Sequence, residues 1–245
     1  MKGLVWFRRD LRLRDNPALS AACQECQDIV PLFVFDEPLL RSHAFGSACV
    51  GFMLGCLEEL RRSLALHGVS LAWRTGDPVE SVIQAASDFK VDAVYWNRDY
   101  EPAALERDRT VQQRLAQQGR TVRTFKDHVV FEAEEVRGQS GDPFQRYSAY
   151  RDRWWAKWRA AAPPLLGIPS FPPAGKASAS DSREWPSVAD LGYESVPMWI
   201  EPGEQAAHAR LQWFLGGPVH QYVTGRNLPA SDGTSKLSPH LRFGT

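Results

Sequence analysis

The residues best placed for chemistry lie near the end of the chain, in Gly233-Thr234-Ser235-Lys236-Leu237-Ser238-Pro239. Hydroxyls at Thr234, Ser235 and Ser238 and the Lys236 ammonium fall close together behind a glycine. Ser238-Pro239 reads as a helix opening, with serine as cap and proline at the first helical position. Such a run offers hydroxyls, backbone N–H groups and a positive helix end to one anion, best a phosphate. A capped helix start with no ligand accounts for the same residues equally well.

The cysteines point to packing. Cys23 and Cys26 form a C-x-x-C inside an expected helix, and Cys49 and Cys56 lie seven residues apart along one face of another. No Cys or His follows either pair at the spacing a four-ligand metal site needs. Buried thiols in a reducing compartment are the simpler reading.

Positioning the phosphate-like run requires a scaffold. The 245 residues suffice for one large or two small domains. Lysine plus arginine equal aspartate plus glutamate at 29 each, so any nucleic-acid contact must come from a local patch. No apolar run is long enough for a membrane span, and a cytoplasmic protein is expected.

Gly3–Phe7 is a short apolar run, as in a strand buried on both faces. Asn16-Pro17 then caps a helix that runs to Gln27. Asp28–Asp36 reads as a second strand, and Gly46–His67 as an amphipathic helix. A strand over Val69–Trp73 follows, then a helix opened by Asp77-Pro78. Val91–Trp96, a helix from Pro102 to about Gln118, and Thr121–Phe125 complete the alternation. Five strands and four helices predict a doubly wound, parallel, five-stranded α/β fold. Both G-x-G-x-x-G and G-x-x-x-x-G-K-[ST] are missing, which weighs against a generic nucleotide-binding module.

Beyond Asp127 the pattern changes. Gln145–Ala162 predicts a helix with Tyr147, Tyr150, Trp154, Trp155 and Trp158 on a wide arc. Packing against a neighbouring domain is the commoner use of such an arc, and stacking on bases the rarer. Pro163–Pro197 reads as a long surface linker. A helix from Gly203 to Gly216-Gly217 and a short helix around Tyr222 lead to the polar loop Arg226–Gly233.

Two stretches carry a family resemblance. Val5-Trp6-Phe7-Arg8-Arg9-Asp10-Leu11-Arg12-Leu13-Arg14-Asp15-Asn16-Pro17-Ala18-Leu19 resembles the opening signature of the photolyase/cryptochrome family. Asn227–Gly244 resembles that family's flavin phosphate loop. Tyr95–Pro102 fits the same template, and the chain is most similar to class I photolyases of cyclobutane pyrimidine dimers.

The resemblance implies an α/β antenna domain (1–130), a connecting segment and linker (131–200), and the beginning of an all-helical FAD-binding domain (201–245). It implies FAD as cofactor and light-driven repair of DNA containing pyrimidine dimers by a monomeric protein. Tyr222 would contact FAD, Thr234, Ser235, Lys236, Leu237 and Ser238 would hold its pyrophosphate, and Arg226 would contact DNA. Arg8, Asp10 and Arg12 would form an ion-pair network joining strand end to helical domain. No metal is implied.

A second antenna chromophore, a reduced folate or a deazaflavin, is not assignable. Ala103-Ala104 and Ala48-Cys49-Val50 depart from the patterns of the respective antenna-binding relatives, and Ser148-Ala149-Tyr150 replaces the usual Thr-Pro-Phe. Family members are much longer than this chain, so a missing C-terminal half is expected, with the dimer-contacting and electron-relay residues in it. The alternatives are a cryptochrome-like blue-light photoreceptor and an antenna fragment that only binds a chromophore.

Overall fold

The computed structural model describes residues 1–42, 44–138, 141–173 and 184–245. Its centre is a five-stranded, wholly parallel sheet in the order β3-β2-β1-β4-β5. The strands are β1 (Lys2–Phe7), β2 (Asp28–Asp36), β3 (Ala72–Gly76), β4 (Ala93–Asn97) and β5 (Thr121–Phe125). The expected α/β architecture is therefore present, with helices on both faces. α1 (Pro17–Glu25) and α3 (Ser47–Leu66) cover one face through Leu19, Ala22, Val50, Phe52, Leu57 and Leu60. α4 (Pro78–Asp88) and α5 (Pro102–Gln117) cover the other through Val82, Ile83, Val111 and Leu115. Each such side chain fully removed from water contributes about 1.5–3 kcal/mol before entropy is counted.

Three of these helices begin as the sequence dictates. Asn16 Oδ1 accepts from Leu19 N at 3.0 Å and Asp77 Oδ1 from Glu80 N at 3.0 Å, each before a proline. α5 opens on Pro102 without a side-chain cap. A short α2 (Glu37–Arg41), capped by Asp36, was not expected. β3 lies three residues later than the apolar run at 69–73. Its register is set by pairing Leu32 with Ala72 and Asp36 with Gly76, and as an edge strand it carries the polar Arg74 and Thr75.

The connecting segment carries α6 (Tyr147–Ala160), and part of the expected linker, 174–183, lies outside the described residues. The described parts are clamped to the α/β unit. Asp15 and Leu166 exchange two hydrogen bonds at 2.8 and 2.9 Å, Phe171 stacks on His67 at 4.4 Å, and Tyr193 donates to the Leu40 carbonyl at 2.6 Å. The last part contains α7 (Glu204–Gly216), α8 (Tyr222–Gly225) and α9 (Ser238–Phe243). No described helix is long and apolar enough to cross a membrane. Burial raises the thiols of Cys23 and Cys56 to about 12.

Candidate functional site

In an open parallel sheet, ligands are expected outside the carboxyl ends of the strands, where the strand order reverses. Here that point lies between β1 and β4, and the chain fills it with its own polar side chains. Asn97 Nδ2 donates to Asp10 Oδ2 at 2.6 Å and to Asn16 Oδ1 at 2.9 Å, while its Oδ1 accepts from Ala18 N at 3.0 Å. Phe35, near the end of β2, Trp73, near the start of β3, and Trp185 pack edge to face with centroids 5.8–6.1 Å apart. No residue at these ends is assigned to a second chromophore.

Of the arginines after β1, Arg8 stays within the α/β unit while Arg9 and Arg12 reach the C-terminal elements. Arg8 pairs with Asp108 at 2.6 Å and donates to the Asn97 carbonyl. Arg12 forms a buried pair with Asp127 at 2.5 Å and donates to the Gly244 carbonyl at 3.1 Å. Arg9 and Arg242 share Glu101, at 2.6 and 3.1 Å, and Leu11 N donates to the Phe243 carbonyl at 2.9 Å. Burial would raise Asp99, but N–H donors of Glu101 and Tyr100 and the charge of Arg9 hold its carboxyl below the usual range. The opening motif thus joins the strand end to α9 through Arg9, Leu11 and Arg12, whereas Arg8 and Asp10, expected in the same network, bond within the α/β unit.

Two further contacts fix α7. Glu204, almost fully buried, accepts from Leu13 N and Arg14 N at 2.9 and 3.1 Å. Gly55 lies so close to Pro202 that an added Cβ would stand 2.2 Å from its Cγ.

On this base stand the residues singled out in the sequence. A Cβ on Gly233 would lie 2.6 Å from the Gly225 carbonyl carbon, so the two glycines touch backbone to backbone. The contact closes the 226–232 loop and brings the end of α8, which begins at Tyr222 and is followed by Arg226, to the start of the 234–238 run. Ser231 Oγ reinforces it by donating to the Gly225 carbonyl at 3.2 Å. Tyr222 is 40% exposed, packs edge-on against Phe214 at 6.0 Å, and has the Arg226 guanidinium 5.6 Å from its ring centre.

The run itself is shaped by a residue that the sequence reading missed. Arg210, on α7, donates to the Thr234 carbonyl and the Ser235 carbonyl, both at 2.9 Å. It also pairs with Asp232 at 2.6 Å and stacks on Trp213 at 3.8 Å. Its distance in sequence from the run left no spacing signal. With those carbonyls turned towards Arg210, the N–H groups of Thr234, Ser235 and Lys236 find no acceptor among the described residues. Lys236 has a left-handed φ of 53°, and its ammonium sits 2.6 Å from Asp232. Hydrogen bonds from Arg210 and Lys236 drive the Asp232 carboxyl far below the usual carboxylate range.

One expectation is corrected. Ser238 is the first residue of α9 and caps nothing, because Leu237, just after the left-handed Lys236, already holds right-handed helical angles in the cap position. The exposed Ser238 side chain makes no capping bond. The arrangement can present hydroxyls, N–H donors and one lysine to an anion, after that lysine leaves Asp232. Among the described residues no group of three His, Cys, Asp or Glu is placed to hold a metal.

Comparison with known proteins decides the family: the DNA photolyase pattern matches residues 3–169. The chain belongs to the DNA photolyase family. An uncharacterized 31.6 kDa protein from the atpI 5′ region of Synechococcus sp. (strain PCC 6716) is 37% identical over 242 residues, covering 98% of this chain and 84% of that protein. The deoxyribodipyrimidine photo-lyase of Synechococcus sp. (strain ATCC 27144 / PCC 6301) is 34% identical over 254 residues, covering 98% of this chain and 51% of that enzyme. Cryptochrome-1 of Arabidopsis thaliana is also similar, at 32% identity, with 98% of this chain and 36% of that protein covered. The crystal structure of a class III photolyase from Agrobacterium tumefaciens superposes with a TM-score of 0.80 at 29% identity, covering 99% of this chain and 50% of that one. The family member described here thus spans about half the length of that photolyase structure and of the Synechococcus enzyme.

Proposed function

We propose that this chain forms the antenna-type domain and the first wall of the flavin site of a light-dependent DNA lyase that splits cyclobutane pyrimidine dimers. In this reading residues 1–130 are the α/β domain, 131–200 the connecting segment, and 201–245 the beginning of a helical FAD-binding domain. The observation that supports it is the backbone contact of Gly225 with Gly233, which sets the residue before Arg226 beside the residue before Thr234.

FAD, when bound, supplies the light-driven electron transfer that opens the dimer. The chain's residues hold and orient. The N–H groups and hydroxyls of Thr234, Ser235 and Ser238, with Lys236 and the backbone of Leu237, would take the pyrophosphate. Such donors suit a doubly anionic group. Tyr222 would lie against the flavin, and the exposed Arg226 would take a phosphate of a strand whose dimer is turned out of the duplex. Trp213, Leu215, Val223, Leu228 and Leu241, all on the surface around these elements, suit a wall that a second, C-terminal half covers.

Photoreversal of a dimer-containing oligonucleotide under blue light tests the reading in a longer form carrying both halves. Repair is expected, with Arg226→Ala weakening oligonucleotide binding and lowering the salt slope by about 1. Bound flavin without repair would instead favour a photoreceptor role, and repair unaffected by Arg226→Ala would remove that residue from the DNA contact.

A further inference from the structure

The helix α6 is the most unusual surface of the molecule. None of its residues is buried. Its inner side is nonetheless anchored: Trp154 meets the buried Phe131 edge-on at 5.5 Å and stacks on Trp158 at 5.6 Å with planes 6° apart. Lys157 adds a grip, its ammonium 4.8 Å from the Phe131 ring centre and donating to the Glu135 carbonyl at 2.9 Å. This inner set packs on the start of the connecting segment itself, not on a neighbouring domain as expected.

The outer side is different. Tyr147, Arg151, Trp155 and Arg159 recur every fourth residue, so they form one ridge about 18 Å long, alternating aromatic ring and guanidinium. Tyr147 is 75% and Trp155 44% exposed, and the Arg159 guanidinium stands 5.9 Å from the Trp155 ring centre. From Arg146 to Arg159 there are five cationic side chains and one acidic, Asp152, in a chain whose net charge is zero. Asp152 pairs with Arg151 at 2.8 Å, whereas Arg159, at the far end of the ridge, has no ion-pair partner among the described residues. Arg153, two residues from both Arg151 and Trp155, lies on the opposite side of the helix.

We propose that the outer ridge of α6 binds single-stranded nucleic acid, with Tyr147 and Trp155 stacking on bases and the arginines beside them holding phosphates. Surfaces of this kind combine a cationic track with aromatic faces that accept any base. A helix face built to receive a protein groove would present aliphatic anchors at i, i+3, i+4 and i+7. This ridge presents planar rings and guanidinium groups instead, both of which stack on bases. The Trp155 ring is held before any ligand arrives, because the Trp154 indole abuts it at 5.1 Å and is itself fixed by Phe131. The surface stands apart from the flavin reading, needing neither light nor a dimer.

The test is fluorescence anisotropy of an undamaged, labelled 12-nucleotide oligothymidylate with the 245-residue protein in the dark. Binding is expected, with log affinity falling against log salt at a slope of about −1.4 for some two phosphates. Trp155→Ala should weaken it by about fivefold or more while Trp155→Phe retains most of it, and Arg151→Glu with Arg159→Glu should flatten the slope. Circular dichroism establishes that these exposed variants keep their fold. The proposal is overturned if the α6 variants bind like the parent, if Arg226→Ala alone abolishes binding, or if a duplex of the same length binds as tightly. Displacement by polyglutamate as readily as by unlabelled oligothymidylate would also overturn it, assigning the ridge to an acidic protein surface.

Discussion

His240 shows how a single residue couples the last helix to the rest of the molecule. Its ring is 1% exposed, lies edge-on to Phe52 at 5.1 Å, and shares a 2.9 Å hydrogen bond with the Thr245 hydroxyl. Burial disfavours the imidazolium, so its pKa in the folded protein is lowered from the ordinary 6.5. Between that lowered value and about 6.5 the unfolded chain binds more protons, so stability rises with pH across this window and is lost as pH falls through it. Denaturant titrations from pH 7.5 down to 5 are expected to show this loss, and His240→Gln should remove that part of the slope. A parent and variant with parallel pH profiles would contradict it. The site residues at this scale were only partly legible. The hydroxyls and lysine at 234–238 announce themselves by clustering, whereas Arg210 and Asp232 act through a fold contact that spacing does not encode.

At the scale of elements, the arginine-rich turn after β1 and the short α9 make one unit. Gly244 has a left-handed φ of 64°, and a Cβ there would lie 2.2 Å from the Arg9 carbonyl oxygen. Gly244→Ala is therefore expected to cost about 2 kcal/mol or more and to release α9 before the sheet unfolds. Limited proteolysis should then cut near 226–233 faster in the variant than in the parent, and equal cutting rates would sink the idea. The alternation of buried strands and capped helices made the sheet legible, because Gly3–Phe7 and Asp28–Asp36 are apolar on both faces and Asn16-Pro17 and Asp77-Pro78 mark helix starts. Edge strand β3 was misplaced because half of it faces water, so the apolar run at 69–73 marks the approach and not the pairing. The start of α9 was misread by one residue because the left-handed turn at Lys236 cannot be seen in an ordinary Lys-Leu-Ser sequence.

For the molecule as a whole, the α/β unit is closed on its own terms. Its switch point is filled by Asn97, Asp10 and Asn16, and its covering helices bury two continuous cores. The C-terminal elements are docked on that unit through Glu204, Arg12 and Gly244, yet they leave Val223, Leu228 and Leu241 on the surface. The proposed site thus lies where the α/β unit meets an open wall, in a chain spanning about half of its photolyase relatives. The central claim is that this wall holds the pyrophosphate of FAD. It is tested most directly by titrating FAD against the 245-residue protein, following flavin fluorescence, with inorganic pyrophosphate as competitor and Lys236→Ala as comparison. The account predicts binding that pyrophosphate displaces and that Lys236→Ala weakens by about tenfold, the loss of one charge-assisted hydrogen bond. Absence of FAD binding, or binding indifferent to both pyrophosphate and Lys236→Ala, would contradict it.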